Sequence, residues 1–364
     1  MARRLLVAAA VALAAALLAA ALLARDSGGD GGRIGLNTHL VWAEAGQVEP
    51  VFDELRAGGV GWVREELPWR LVEPERGRYD WRQTDNLMAA AARAGIRVLG
   101  ILAYSAPWAS SDPEGDDSRY PPRDVAAYAR YAAAVVDRYS EDGAFWRERR
   151  DLEPTPLRAV EIWNEPWLHV SWRPDPDPAA YARLARAAAE AIRDVAPETT
   201  IAVSGDLLQV RADGAFREWL AELLEADPEL PALVDVYSVH PYPDPRTAGP
   251  YDDRDDPRWD YRRVELIREL DDSLPIWITE VGWSTADTDD SVSEETQAEH
   301  VAGAITRALD EWGEYVERIF VYSYDRDTGD RGDREGNYGL RRVDGSPKPA
   351  WAALQEAGRR DPPG

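Results

Sequence analysis

Eight short β-prone apolar runs, each followed by a stretch with helical character, constrain the fold of this chain more than any other feature. The runs cover residues 33–39, 61–67, 97–104, 157–164, 199–206, 233–240, 275–282 and 318–325. Their apolar character is nearly continuous, as expected of parallel strands buried on both faces, whereas a sheet with one wet face would alternate. The intervening segments predict helices over 47–59, 80–95, 122–140, 177–197, 213–227, 258–270, 293–312 and 347–358. Several carry their own punctuation. Gly58-Gly59 and Gly95 are stop signals, and Asp177 is an N-cap with Pro178 at the first helical position. Ser291 and Glu294 have the spacing of a capping box. Strand–helix units repeated this way predict one domain, a single (β/α)8 TIM barrel over 33–358. An open doubly wound sheet is the weaker reading, because it would use fewer strands and no GxGxxG turn follows the first run.

The ends differ in kind. Two arginines precede twenty apolar residues, Leu5 to Ala24. Residues 1–25 therefore read as a signal peptide or an N-terminal membrane anchor. Residues 26–32 read as a flexible linker and 359–364 as a tail. The chain is expected to be exported, either secreted or tethered through residues 5–24 to the outer face of the membrane. A formal charge of −25 argues against nucleic acid and anionic lipid as partners. The chain has no cysteine, which removes disulfides and thiolate metal sites, and its four histidines form no metal-binding pair motif. The acidic run 325–335 is spaced partly like a calcium loop, but Asp330 stands where that loop needs glycine, so a solvated loop is expected.

In a barrel of this kind the chemistry sits at the C-terminal strand ends. There the sequence places Asn37 and His39; Arg64, Glu65, Glu66 and then Trp69; Tyr104 and Trp108; Asn164 and Glu165; His240 and Tyr242; Glu280 and Trp283; and Tyr322, Tyr324 and Asp325. Glu165 and Glu280 each directly follow a buried apolar run, on strands four and seven of the barrel. Two carboxylates facing one cavity suit glycosidic hydrolysis, where one protonates the leaving oxygen and the other attacks or stabilises the anomeric centre. Either glutamate alone could be a turn residue or an ion-pair partner. Their convergence with other polar side chains on one rim favours function. Of the 15 tryptophans, those past the strand ends suit sugar faces, although packing between helix and barrel accounts for many.

These segments resemble the retaining glycoside hydrolases of clan A, the 4/7 superfamily. "IWNEP" and "IWITEVGW" are similar to the two catalytic strand ends, "ELPWRLVEPERGRYDW" to the second-strand segment, and "YGLRRVDGSPKPAW" to the C-terminal segment. Family 39 is the nearer placement, with family 5 cellulases next. The resemblance implies Glu165 as acid/base, Glu280 as nucleophile and Asn164 on the sugar 2-hydroxyl. It further implies Arg64 beside the nucleophile and either His240 or Tyr242 holding the nucleophile's oxygen. His39, Trp69, Tyr104, Trp108, Trp283, Tyr322 and Tyr324 complete the expected substrate contacts. Many relatives carry tryptophan at the end of strand eight, where this chain has Tyr322 and Tyr324. The expected activity is retaining hydrolysis of a β-linked oligo- or polysaccharide, with no cofactor and no metal. The carboxylates should then stand about 5–5.5 Å apart. A polysaccharide-binding scaffold and a transglycosylase are the alternatives. The acidic rim is expected to disfavour uronic-acid polymers.

Overall fold

A computed structural model of the chain describes residues 32–361, apart from 113 and 116. The predicted export segment, nearly all of the linker and the last three residues lie outside the described residues.

Eight parallel strands close into a barrel: β1 (Ile34–Asn37), β2 (Trp62–Glu66), β3 (Arg97–Leu102), β4 (Ala159–Ile162), β5 (Thr200–Ser204), β8 (Val236–Val239), β9 (Ile276–Val281) and β10 (Val316–Val321). Each falls within its predicted run except β10, which starts two residues earlier. Strands β6 (Leu208–Val210) and β7 (Phe216–Glu218) form a separate antiparallel hairpin.

That hairpin corrects the helix expected over 213–227. The backbone reverses at Asp213-Gly214, where Gly214 takes φ +79° and Asp213 accepts from the Ala215 amide, so only Leu220–Ala226 is helical. The helix at Glu294–Thr306 is capped by Ser293, whose hydroxyl accepts from the Thr296 amide. Ser291 does not cap it, because its hydroxyl is 2.7 Å from that of Thr288.

The barrel interior is layered. Trp62, Leu99, Ala159, Ala202, Val236, Trp277 and Phe320 form an apolar floor. Gly35 completes it, since a Cβ there would lie 2.4 Å from the Phe320 ring. Two residues further along the strands the interior turns polar, with Asn37, Arg64, Glu161, Ser204, Ser238 and Thr279 all buried. A dry floor beneath a polar layer leaves the upper mouth as the place for chemistry. The helices seal the outside. In Pro178–Val195 the buried set Tyr181, Leu184, Ala185, Ala188 and Ile192 recurs at helical spacing, and the Tyr181 hydroxyl donates to the Ile162 carbonyl at 2.8 Å.

Candidate active site

Glu165 reaches the mouth through a sharp kink. β4 ends at Ile162, and the next residues include two in the left-handed region: Trp163 at φ +66° and Glu165 at φ +48°. Such backbone costs on the order of 1–2 kcal/mol per non-glycine residue and has to be held by its surroundings. Trp163 supplies the hold. Its ring is fully buried against Tyr104 and Trp172, and its Nε1 donates to the Ser171 carbonyl at 2.9 Å.

Glu280 reaches the mouth by a different device. Between Ile319 and Val321 on β10 there is one residue, but between their partners Ile278 and Val281 on β9 there are two. This β-bulge adds a residue to β9 just where alternation would turn Glu280 outward, so Thr279 and Glu280 both face the interior. Thr279 lies 3.0 Å from His240 Nε2, and Glu280 Oε1 accepts from Arg64 at 2.5 Å.

The two carboxylates then meet. Glu165, His240 and Glu280 each offer an atom within 4.8 Å of the others. His240 Nδ1 is 2.9 Å from Glu165 Oε1, and the Tyr242 hydroxyl donates to Glu280 Oε2 at 3.2 Å. Of the two β8 candidates, Tyr242 hydrogen-bonds Glu280, whereas His240 Nδ1 stands between the carboxylates, 2.9 Å from Glu165 and 3.6 Å from Glu280. Arg64 uses four of its five N–H donors, on Glu161, Asn37, Glu280 and Asn164 at 2.6, 2.9, 2.5 and 2.7 Å. Burial works against its charge, but Glu161 and Glu280 outweigh it and hold it protonated. Burial, reinforced by Glu280, also pushes the Tyr242 phenol well up, so it stays a donor. Three ligand atoms at this spacing could hold a metal ion, but Arg64 already neutralises Glu280 and both His240 nitrogens are engaged. The donor set fits proton transfer better.

Arg64, Asn164, Glu165, Tyr242 and Glu280 line a cavity of about 380 Å³ with Asn37, His39, Glu66, Arg246, Tyr322 and Tyr338 among its walls. A second hollow of about 250 Å³ adjoins it, sharing Glu66 and lined by Trp42, Arg70 and Tyr104. A family model for cellulase, glycosyl hydrolase family 5, matches residues 26–315. The chain belongs to that family. Family 5 lies in clan A and is the second of the two placements the chain's sequence suggested. Comparison with curated protein sequences finds no match.

Among solved structures it is similar to a family 39 glycoside hydrolase from the gut symbiont Bacteroides cellulosilyticus WH2, at 21% identity and TM-score 0.64. The alignment covers 91% of this chain and 64% of that one, so the chain spans somewhat under two thirds of that relative. A GH5_18 protein from Streptomyces cattleya aligns at 20% identity and TM-score 0.64, covering 91% of this chain and 80% of the other. Xylanase 10B from Thermotoga maritima aligns at 15% identity and TM-score 0.56, covering 91% and 96%. At such identities the likeness speaks for the fold.

Within this family 5 barrel, the predicted contacts divide. His39, Arg64, Asn164, Tyr242 and Tyr322 line the larger cavity, and His240 is buried beneath it. Tyr104 lines the smaller one and accepts from Asn164 Nδ2 at 3.0 Å. Trp69, Trp108, Trp283 and Tyr324 do not join them. Trp69 is fully buried, stacked on Tyr131 and edge-on to Trp108. Trp108 donates to the Glu73 carbonyl, and Trp283 to the Ala248 carbonyl. Tyr324 packs on Trp351 and donates to Glu54, on the helix side. In each case the ring pays better as packing than as a sugar platform. Trp42, 40% exposed, does line the smaller hollow.

Sequence reading passed over Glu161, Thr279, Arg246, Arg334 and Tyr338. Glu161 had a signal: a charge between Val160 and Ile162 at an inward position of a buried strand. Within 325–335, Asp325 is paired with His39 at 2.7 Å and Asp327 with Lys348 at 2.7 Å, while Glu335 lines the larger cavity.

Proposed function

We propose that this family 5 glycosidase hydrolyses a β-linked oligo- or polysaccharide with retention of configuration, through Glu280 as nucleophile and Glu165 as acid/base. The observation that carries the reading is the approach of the two carboxylates to within 4.8 Å of each other. That is near the separation of retaining enzymes and below the roughly 6.5–9.5 Å that leaves room for an inverting water. Two structural neighbours, an exo-β-1,4-mannosidase and an endo-β-1,4-xylanase, support the β linkage by their names.

The partners of each carboxylate support the division of roles. Glu280 accepts from the Arg64 guanidinium and from the Tyr242 hydroxyl, which together fix the orientation of its carboxylate at the mouth. Glu165 faces His240, a group that can hold or yield a proton. In the first step an Oε of Glu280 bonds to the anomeric carbon, the glycosidic bond breaks, and the leaving oxygen takes the Glu165 proton. In the second step Glu165 accepts a proton from water, the water oxygen bonds to the anomeric carbon, and Glu280 is released. Asn164, fixed between Arg64 and Tyr104, presents its amide to the sugar 2-hydroxyl.

The test is proton NMR of an aryl β-glycoside panel during early hydrolysis. A β-anomer product appearing first, with turnover lost in Glu165→Gln and Glu280→Gln, supports the reading; an α-anomer first overturns it. We also propose that residues 1–25 carry the domain out of the cytoplasm, which cell fractionation with and without them tests.

A further inference from the structure

We propose that the sugar-binding mouth is built for an anionic sugar, whose carboxylate or sulfate is received by Arg246. The inference rests on the glycosidase reading above and adds the substrate class. Arg246 lines the 380 Å³ cavity, half-buried, with its guanidinium 4.8 Å from the centre of the Tyr242 ring. Tyr242 in turn touches Glu280, so a single side chain separates Arg246 from the reacting carboxylate.

The other cations of this cavity are already matched. Arg64 pairs with Glu161 and Glu280 inside the barrel, His39 pairs with Asp325 at 2.7 Å, and Arg334 pairs with Glu335 at 2.5 Å and Asp290 at 2.7 Å. Among the described residues, Arg246 has no carboxylate or carbonyl partner. It stands over an aromatic corner in which Tyr338 lies edge-on to Tyr242 and Tyr322, at 6.1 and 5.6 Å between ring centres. Its place over the Tyr242 ring uses no N–H group and so leaves the guanidinium donors for a ligand such as a carboxylate or sulfate. A neutral sugar would leave that charge with water alone.

The chain's net charge of −25 does not oppose this. Surface charge is screened beyond about 8 Å at physiological ionic strength, whereas an ion pair formed inside the mouth acts at contact distance. The expectation that an acidic rim disfavours uronic acids is thus outweighed by the one unmatched cation beside Tyr242.

The experiment compares aryl β-glucuronide and β-galacturonide with the matching neutral glycosides and their 6-sulfates. Each is assayed on the full chain and on the Arg246→Ala and Arg246→Lys variants, with circular dichroism to verify folding. The expected result is a higher kcat/KM for an acidic glycoside than for its neutral partner. That ratio should fall about ten- to a hundredfold in Arg246→Ala, as for loss of a charge-assisted pair, and partly recover in Arg246→Lys. Preference for the uronide or for the 6-sulfate names the anion. A neutral preference in the native chain, or a ratio that Arg246→Ala leaves in place, overturns the proposal. If no glycoside is cleaved, the hydrolase reading fails by itself. Calorimetry of glucuronate, galacturonate and the 6-sulfates on Glu280→Gln then decides the subsite: binding lost on adding Arg246→Ala supports it, and equal or absent binding overturns it.

Discussion

Arg64 Nε and Glu161 Oε2 form an ion pair 2.6 Å long, with side-chain exposures of 1% and 0%, beneath the point where Glu165 and Glu280 converge. The pair holds the guanidinium so that its other nitrogens face Glu280 and Asn164. Removing one member of a buried pair strands the other's charge, at a cost of about 3–5 kcal/mol. Glu161→Gln is expected to lose stability in that range, read as a lower urea midpoint at unchanged slope, and to lower kcat because Arg64 is no longer aimed. A variant as stable as the parent would mean that the interior is wetter than this packing allows.

Glu165→Ala is expected to lose about 10²- to 10⁴-fold in kcat on glycosides with poor leaving groups, the usual share of general acid catalysis. On 2,4-dinitrophenyl glycosides, which need no protonation, glycosylation should stay fast and the covalent intermediate should accumulate. Azide should then restore turnover and appear as a β-glycosyl azide. Equal losses on both substrate types would remove Glu165 from the acid role.

Burial lowers the pKa of His240, but Glu280 and Glu165 outweigh it and leave the net shift upward. The folded chain then holds this proton more tightly than the unfolded chain. The resulting stability is fully present below the unfolded value of about 6.5 and is lost as pH rises through the higher folded value. Wild type minus His240→Gln should therefore show a stability difference that shrinks from pH 6 upward in chemical denaturation. A difference that grows with pH would reverse the assignment.

Gly35 supplies room for Phe320 in the barrel floor, where a Cβ would lie 2.4 Å from the ring. Gly35→Ala is expected to cost about 1–3 kcal/mol through overpacking. Phe320→Leu should recover part of that cost in the double variant, giving a coupling energy in a thermodynamic cycle. Simple additivity of the two changes would show that the ring does not fill this space.

Much of this protein could be read from its chain alone. The barrel was legible because a strand buried on both faces must be apolar along its length and a helix must carry an apolar stripe. Both are properties of consecutive residues; seven of the eight barrel strands lie inside their predicted runs and β10 overlaps its own from two residues earlier. Glu165 was legible because polar residues abruptly follow the apolar run of β4. The hairpin at 208–218 was not, because the segment 213–227 also carries helix-forming residues and the turn at Asp213-Gly214 decides between them.

The remaining decisions belong to the tertiary structure. Alternation along β9 would turn Glu280 outward, and only the register of β9 against β10 reveals the added residue that turns it in. Nothing in "HPY" ranks His240 against Tyr242; the three-dimensional closing of the barrel puts the first between Glu165 and Glu280 and hydrogen-bonds the second to Glu280. Trp69 and Trp283 follow strand ends as Trp42 does, yet helices cover the first two and leave the third beside a hollow. Local pattern sets which residues become strand or helix because those energies arise between near neighbours in the chain. Which side chains meet depends on register, bulges and covering helices, and those are fixed by contacts between residues far apart in sequence.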